Sequence, residues 1–324
     1  MPAVLTHDFF GRDAFGRVSS LLGFDSDDQR DAFLLGNQGP DVLFYLRIDP
    51  TIGKGSHIGG LMHEARPAHL LAAFREALDM LSPRERPLGE AYVAGFCCHY
   101  LLDRTIHPLV YFNQFGICSA GVEGLDEQDA DDVHAEIERD FDEMVLFTKT
   151  GQTIMTFRTY KEVLRASDEV LATIDKLYFY VCLWTYSATI DLSSFSHGAK
   201  AFRIMQRVFW SPSGILHRVL GTYETTLGGK RYSFYRAMAH RQRAEKTSAF
   251  GNLDHKQWEN PFTGEASTDS FWDLYEKAQG MVFDAEQLLF SPDFDLSAAE
   301  RLTGGLNFSG EPVGEDDPFT LPGA

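Results

Sequence analysis

Three titratable side chains lie four residues apart inside an otherwise apolar run, GFCCHYLLDRTIHPLVY at 95–111: His99, Asp103 and His107. An α-helix advances about 6 Å and turns about 40° over four residues, so the three share one slowly turning stripe about 12 Å long. The chemistry that suits those types is coordination of a divalent cation. Neutral imidazole nitrogens and ionised carboxylate oxygens are its ligands. A carboxylate set between two imidazoles also has two oxygens with which to bridge two cations. Pro108 removes a backbone donor and disfavours helical geometry at His107. We therefore expect the helix to end or kink there, aiming His107 at a different ion from His99.

A second pair stands in VHAEIERDF, where His134 and Glu138 are again four apart and Val133, Ile137 and Phe141 mark the neighbouring buried stripe. Glu136 and Asp140 fall off that face, so we expect them to meet solvent. Taken singly, His-xxx-Asp reads as a salt bridge and His-xxx-Glu as a solvated pair on one helix. Taken together they place five nitrogen or oxygen ligands on two helical stretches that are close in sequence. Burying so many ionisable groups without a cation is costly, so the spacing points to metal.

Three further positions precede them. LTHDFFGRDAF offers His7, LLGNQGPDVLFY offers Asp41 after a Gly-Pro turn, and IGGLMHEARPAHLLAAF offers His63 at a helix entry. His57 and His69 compete with His63. Seven of the eleven histidines fall within residues 1–138, and His197, His217, His240 and His255 show no spacing that builds a site.

The elements that must hold these residues read as helices. Apolar residues recur at helical spacing over 65–81, 88–107, 125–150, 159–188, 197–210, 214–227 and 269–290, and alternating strand patterns are nearly absent. Pro87 marks a helix start, and the acidic run after Leu125 suits another. We expect an all-α chain with one helical domain over 1–303, its ligands within 1–150 and further helices over 151–303. The Gly-, Pro- and acid-rich stretch 304–324 reads as a flexible tail, loop or disorder. NLDHKQWENPFTGE at 252–265 reads as a loop anchored by Trp258 and Pro261, packed between helices or rimming a cleft.

Composition narrows the function. The chain has 324 residues, of which 44% are hydrophobic and 23% charged, enough apolar material for a large core. No apolar run is long enough to cross a membrane. The start MPAVLTHDFFGRDAFGR lacks a basic segment followed by a long apolar one, so we expect no signal peptide and a cytoplasmic location. Cys97, Cys98, Cys118 and Cys182 form no CxxC pair and read as buried thiols. The formal net charge of −18 opposes long-range attraction to polymeric nucleic acid or anionic lipid.

In order, the N-terminal His, then GPD, LMHE, GFxxHxxxDxxxHP and HxxxE resemble the zinc-dependent phospholipase C family, which shares its fold with single-strand-specific nucleases. The resemblance covers about residues 1 to 150 and is weak beyond. It implies an all-helical bundle with a cluster of three zinc ions hydrolysing phosphodiesters. Carried over by matching position, Asp41, His63, His99 and Asp103 would hold one zinc, and His107, His134 and Glu138 a second. His7 and Asp103 would hold a third, with Asp103 bridging. The LMHE context favours His63 over His57 and His69. In secreted members an N-terminal tryptophan completes the third site. This chain begins Met1-Pro2, so that site is expected to be weaker, differently completed or empty, leaving two or three zinc ions.

The expected function is thus a zinc-dependent phosphodiester hydrolase that attacks with a metal-activated water. Asp41 is the candidate catalytic residue, orienting or deprotonating that water. The substrate is a phosphodiester, with phospholipid among the candidates. A nuclease or nucleotidase with the same cluster, or a zinc-stabilised helical binding protein without turnover, are the alternatives.

Overall fold

The computed structural model describes residues 3–48, 56–121, 124–211, 213, 215–226 and 233–319. The fold is all-α. The helices are α1 (Val4–Leu22), α2 (Asp27–Gly36), α3 (Asp41–Phe44), α4 (Ser56–Glu64), α5 (Pro67–Ala77), α6 (Arg86–Ala120) and α7 (Ala130–Thr150). They continue as α8 (Thr159–Glu162), α9 (Asp168–Tyr186), α10 (Ser194–Phe209), α11 (Ile215–Thr226), α12 (Phe234–Met238), α13 (Phe271–Leu289) and α14 (Leu296–Thr303). Two short antiparallel strands, β1 (Trp258–Glu259) and β2 (Ala266–Ser267), pair Trp258 with Ser267.

The chain divides into two compact units. The first comprises Met1–Phe9, Ile106–Val163 and Ile204–Tyr275; the second comprises Phe10–Thr105, Leu164–Arg203 and Glu276–Ala324. The second unit is built on buried aromatic rings from α5, α6 and α9. The Phe74 and Phe96 centroids are 4.3 Å apart, and Tyr178 stacks on Phe195 at 4.8 Å. The Tyr92 and Tyr178 hydroxyls share a hydrogen bond of 2.7 Å, which satisfies both polar tips inside the core. Gly95 lets α2 and α6 touch backbone to backbone, since a Cβ there would lie 2.0 Å from the Phe33 carbonyl oxygen.

In the first unit, α7 buries Phe141 against Phe271 at 4.6 Å, and Ala135 joins Phe209, Tyr235 and Met238 in a smaller cluster. Asp140 does not meet solvent. It is 4% exposed and pairs with Arg241 and Arg243, while Glu143 accepts from Arg241. Arginines arriving from far along the chain give α7's off-face carboxylates partners that helical spacing alone does not reveal. Asp142 accepts from the Leu5 and Thr6 amides and pairs with His240 at 2.9 Å, which fastens the start of α1.

Two helix boundaries differ from expectation. α6 does not stop at Pro108 but runs on to Ala120. A proline inside a helix costs about 3 kcal/mol. Ile106, Leu109 and Val110 are all buried across it, and burying such a side chain returns about 1.5–3 kcal/mol. The stretch 159–188 is not one helix: α8 ends at Glu162, Leu164 takes φ +61°, and α9 begins at Asp168. Ser167 caps α9 by accepting from Val170 N, with Asp168 and Glu169 in the first turn. That local start signal outweighs the continuing apolar period.

Residues 304–319 are loop with an isolated bridge between Leu306 and Pro312, and the loop is tightly held. Asn307 and Phe308 are 2% and 1% exposed. Glu315 accepts from the Ala68 and His69 amides at 2.9 and 3.1 Å. It thereby caps α5, whose own N-cap Arg66 offers no side-chain acceptor. Trp258 is buried and donates from Nε1 to the Asp269 carbonyl, whereas Pro261 is exposed; Phe262 packs on Tyr111.

Candidate metal centres

The second unit gathers Asp41, His63, His99 and Asp103. Asp41 opens α3 directly after the Gly39-Pro40 turn, His63 ends α4, and His99 and Asp103 share α6. One donor atom from each of His63, His99 and Asp103 lies within 4.8 Å of the others. His99 Nε2 stands 3.1 Å from Asp103 Oδ2, and His63 Nε2 stands 3.9 Å from the same oxygen and 3.1 Å from Asp41 Oδ1. His57 is exposed and His69 binds Glu315, so the structure brings His63 to this cluster and not its two competitors.

The opposite ring nitrogens decide what these imidazoles offer. His63 Nδ1 donates to the Gly59 carbonyl at 2.6 Å, and His99 Nδ1 to the Asn37 carbonyl at 3.1 Å. A carbonyl oxygen can only accept, so Nδ1 carries the proton and Nε2 turns its lone pair toward the carboxylates. Lone pair facing lone pair is repulsive unless a proton or a metal ion lies between. This is the arrangement of a metal-ligating histidine whose far nitrogen is fixed by a backbone acceptor. Gly39 makes the approach possible: it takes φ +51°, and a Cβ there would lie 2.2 Å from His99 Cδ2.

The charges agree with that geometry. Burial works to raise Asp41, yet it is held down at about 2, with the hydrogen bond from His63 and the charges of His63 and His99 among the causes. Burial works to lower His99, and the Asp103 charge and hydrogen bond overcome it and push the imidazole up. The cluster therefore keeps Asp41 ionised beside its imidazoles.

The first unit gathers His107, His134 and Glu138, whose donor atoms also lie within 4.8 Å of one another. Glu138 Oε1 is 3.3 Å from His107 Nε2 and 3.5 Å from His134 Nε2. The Gln114 side-chain oxygen, 2.8 Å from His134 Nδ1, accepts its proton and turns Nε2 inward. Burial pushes His134 down, against the pull of Glu138. Burial works to raise Glu138, yet it is held well below the usual range, with the His134 charge and the bonds from both histidines among the causes. Two imidazole nitrogens turned on one buried carboxylate oxygen again suit a cation. Each of the two groups could hold a metal ion.

His7, on the first turn of α1 in the first unit, is 3% exposed. Several supporting residues were not singled out by sequence reasoning. Tyr111 and Gln114 continue the His107 stripe of α6 at steps of four and three, a signal that was available. Tyr111 sets its ring 5.1 Å from His134 and 5.2 Å from Phe262. Phe44 stacks on the His63 ring at 5.4 Å. Phe308 lies 5.0 Å from His63 and 5.7 Å from His99, and its amide donates to the His63 carbonyl. No local pattern announces Phe308, because its partners lie more than 200 residues earlier.

No family model, no curated protein and no solved structure matches this chain.

Proposed function

We propose that this chain is a zinc-dependent phosphodiester hydrolase of the phospholipase C type. The observation that carries the reading is the set of buried and half-buried imidazoles of His63, His99 and His134, whose Nδ1 protons are tied to acceptors while their Nε2 atoms converge on carboxylates. Nitrogen and oxygen donors in that number suit zinc. Asp41, His63, His99 and Asp103 would hold one ion in the second unit, and His107, His134 and Glu138 another in the first. Bound there, zinc supplies Lewis acidity and brings the pKa of water toward about 7.

The residues' own parts follow from their charge. Asp41, held at about 2, is ionised at neutral pH. Its part would be to orient or deprotonate the attacking water. His63 and His99 keep their orientation through Gly59 and Asn37. Tyr111, half-buried beside His134, and Phe115, 45% exposed, offer aromatic surface near the centre of the first unit. That surface favours a second reading, a nucleotide phosphodiester whose base stacks on the rings.

Elemental analysis of the purified chain is the first test, and turnover of a p-nitrophenyl phosphodiester is the second. The proposal expects stoichiometric zinc, and activity that a chelator abolishes and zinc restores. Bound zinc with no turnover across phospholipid, nucleotide and p-nitrophenyl phosphodiesters would leave a metal-stabilised binding protein. Absence of bound metal after zinc loading would remove both readings.

A further inference from the structure

Within the second unit, α5 packs against both α9 and α14. Between the end of α9 and the segment leading into α14, α5 presents Ala72 and Ala73. Side chains that short do not fill the space between the neighbouring elements, and a cavity of about 490 Å³ remains. Small-molecule sites span roughly 300–1,000 Å³. Trp184 and Phe294 give the cavity apolar walls. Trp184 is 38% exposed. No helix among the described residues is long and apolar enough to cross a membrane, so that exposure does not mark a spanning helix.

The polar part of the lining is more telling. It carries five titratable side chains, His69, Arg75, Glu76, Asp79 and Asp295, and three of them are engaged. His69 Nδ1 pairs with Glu315 at 2.8 Å, Asp79 accepts from Arg86 at 2.7 Å, and Asp295 accepts from the Ala298 amide at 2.8 Å. Arg75 and Glu76 make no side-chain hydrogen bond or ion pair among the described residues. Glu76 is exposed, whereas Arg75 is half-buried and its Nε is shielded from water without an acceptor. Thr185, 2% exposed, lines the same cavity with an Oγ1 that also makes no hydrogen bond. Two buried donors without partners in one lining favour a ligand that brings acceptors.

We propose that this cavity binds a free α-amino acid with a large apolar side chain. The ligand's carboxylate would take the Arg75 guanidinium, whose parallel N–H groups match two carboxylate oxygens. Its ammonium group would take the Glu76 carboxylate. Its side chain would lie against Trp184 and Phe294 over the two alanines. A purely anionic ligand would meet Glu76, Asp79 and Asp295 as like charges, and a purely cationic one would leave Arg75 unpaired. A zwitterion with an apolar body answers both. No lining residue belongs to either metal centre, so the inference does not rest on the hydrolase reading.

The test is calorimetric titration of the full chain with L-tryptophan, L-phenylalanine and L-leucine. The comparison ligands are glycine, which lacks the apolar body, tryptamine, which lacks the carboxylate, and indolepropionate, which lacks the ammonium group. Saturable binding is expected for the three apolar amino acids, and each comparison ligand should bind about tenfold or more weakly than L-tryptophan. Arg75→Gln and Glu76→Gln should each weaken L-tryptophan about tenfold or more while zinc content stays that of the parent. Glu76 is exposed, so Glu76→Gln keeps the test decisive should Arg75→Gln fail to fold. No saturable binding of the three amino acids at millimolar concentration would overturn the proposal. So would tryptamine or indolepropionate binding as tightly as L-tryptophan, or a folded variant that binds as the parent does. An amino acid held instead by a metal ion would give that last result, because neither substitution touches a metal centre.

Discussion

Asp103→Asn is the sharpest perturbation of the proposed chemistry. The change keeps the shape of the side chain and removes one negative charge. Asp103 is 4% exposed, and its Oδ2 lies 3.1 Å from His99 Nε2 and 3.9 Å from His63 Nε2, so one oxygen serves both imidazoles. Changing a group that merely supports a ligand costs about 10–100-fold in metal affinity. Losing a charged ligand should cost at least about 100-fold, which is about 2.7 kcal/mol. Metal also stabilises the fold by mass action: an ion at a thousand times its Kd adds about 4 kcal/mol. The parent should therefore melt at a lower temperature once stripped by chelator. In the variant, the share of that shift that comes from the second-unit centre should be gone. The assay is zinc content by elemental analysis, together with thermal melts in zinc and in chelator and hydrolysis of a p-nitrophenyl phosphodiester. The expected result is a loss of zinc from the second-unit centre, a smaller chelator effect and no activity. An Asp103→Asn variant with full zinc and full turnover would refute the assignment, and a parent whose melting ignores chelator would refute the metal reading altogether.

Three other outcomes follow from the structure. Gln114→Ala removes the acceptor that fixes His134, and should weaken zinc binding at the first-unit centre about 10–100-fold while the second-unit centre keeps its ion, as a two-site zinc titration would read. Phe308→Ala opens a cavity at a fully buried ring and should cost about 3–5 kcal/mol in denaturant unfolding. It should also lower zinc affinity, because the His63 and His99 rings lose a wall; unchanged zinc affinity would make Phe308 purely structural. Burial pushes Glu286 well above the ordinary carboxylate range, with Cys98 Sγ only partly offsetting it from 3.7 Å. Its folded pKa exceeds its unfolded one. Glu286 therefore costs no stability while both states are protonated, and from about pH 4.5 upward the unfolded chain ionises first and native stability falls by about 1.4 kcal/mol per pH unit. Glu286→Gln should accordingly gain on the parent as pH rises from about 4 to 7, and parallel denaturation curves across that range would count against it.

The all-α architecture is written in the chain itself. Helical spacing, the near absence of alternating runs and local caps such as Ser167 act over a few residues, and the chain carries them in any context. The steps of four that join His99 to Asp103 and His134 to Glu138 are equally local, since a helix alone sets them on one face. Other features needed the folded chain. Pro108 breaks a local rule, and only the burial of Ile106, Leu109 and Val110 shows why α6 continues. Asp140 has the spacing of a solvated residue, and only the return of Arg241 and Arg243 buries it. Residues 304–319 have the composition of a loose tail, yet Phe308 and Glu315 find partners on α4, α5 and α6. The choice among His57, His63 and His69, and the tautomer each ligand presents, depended on the carbonyls of Gly59 and Asn37 and the side-chain amide of Gln114. Sequence spacing fixes which residues share a helix face. Which faces meet, and which polar atoms lose water and must find one another, depends on contacts between distant segments that only the packed chain supplies.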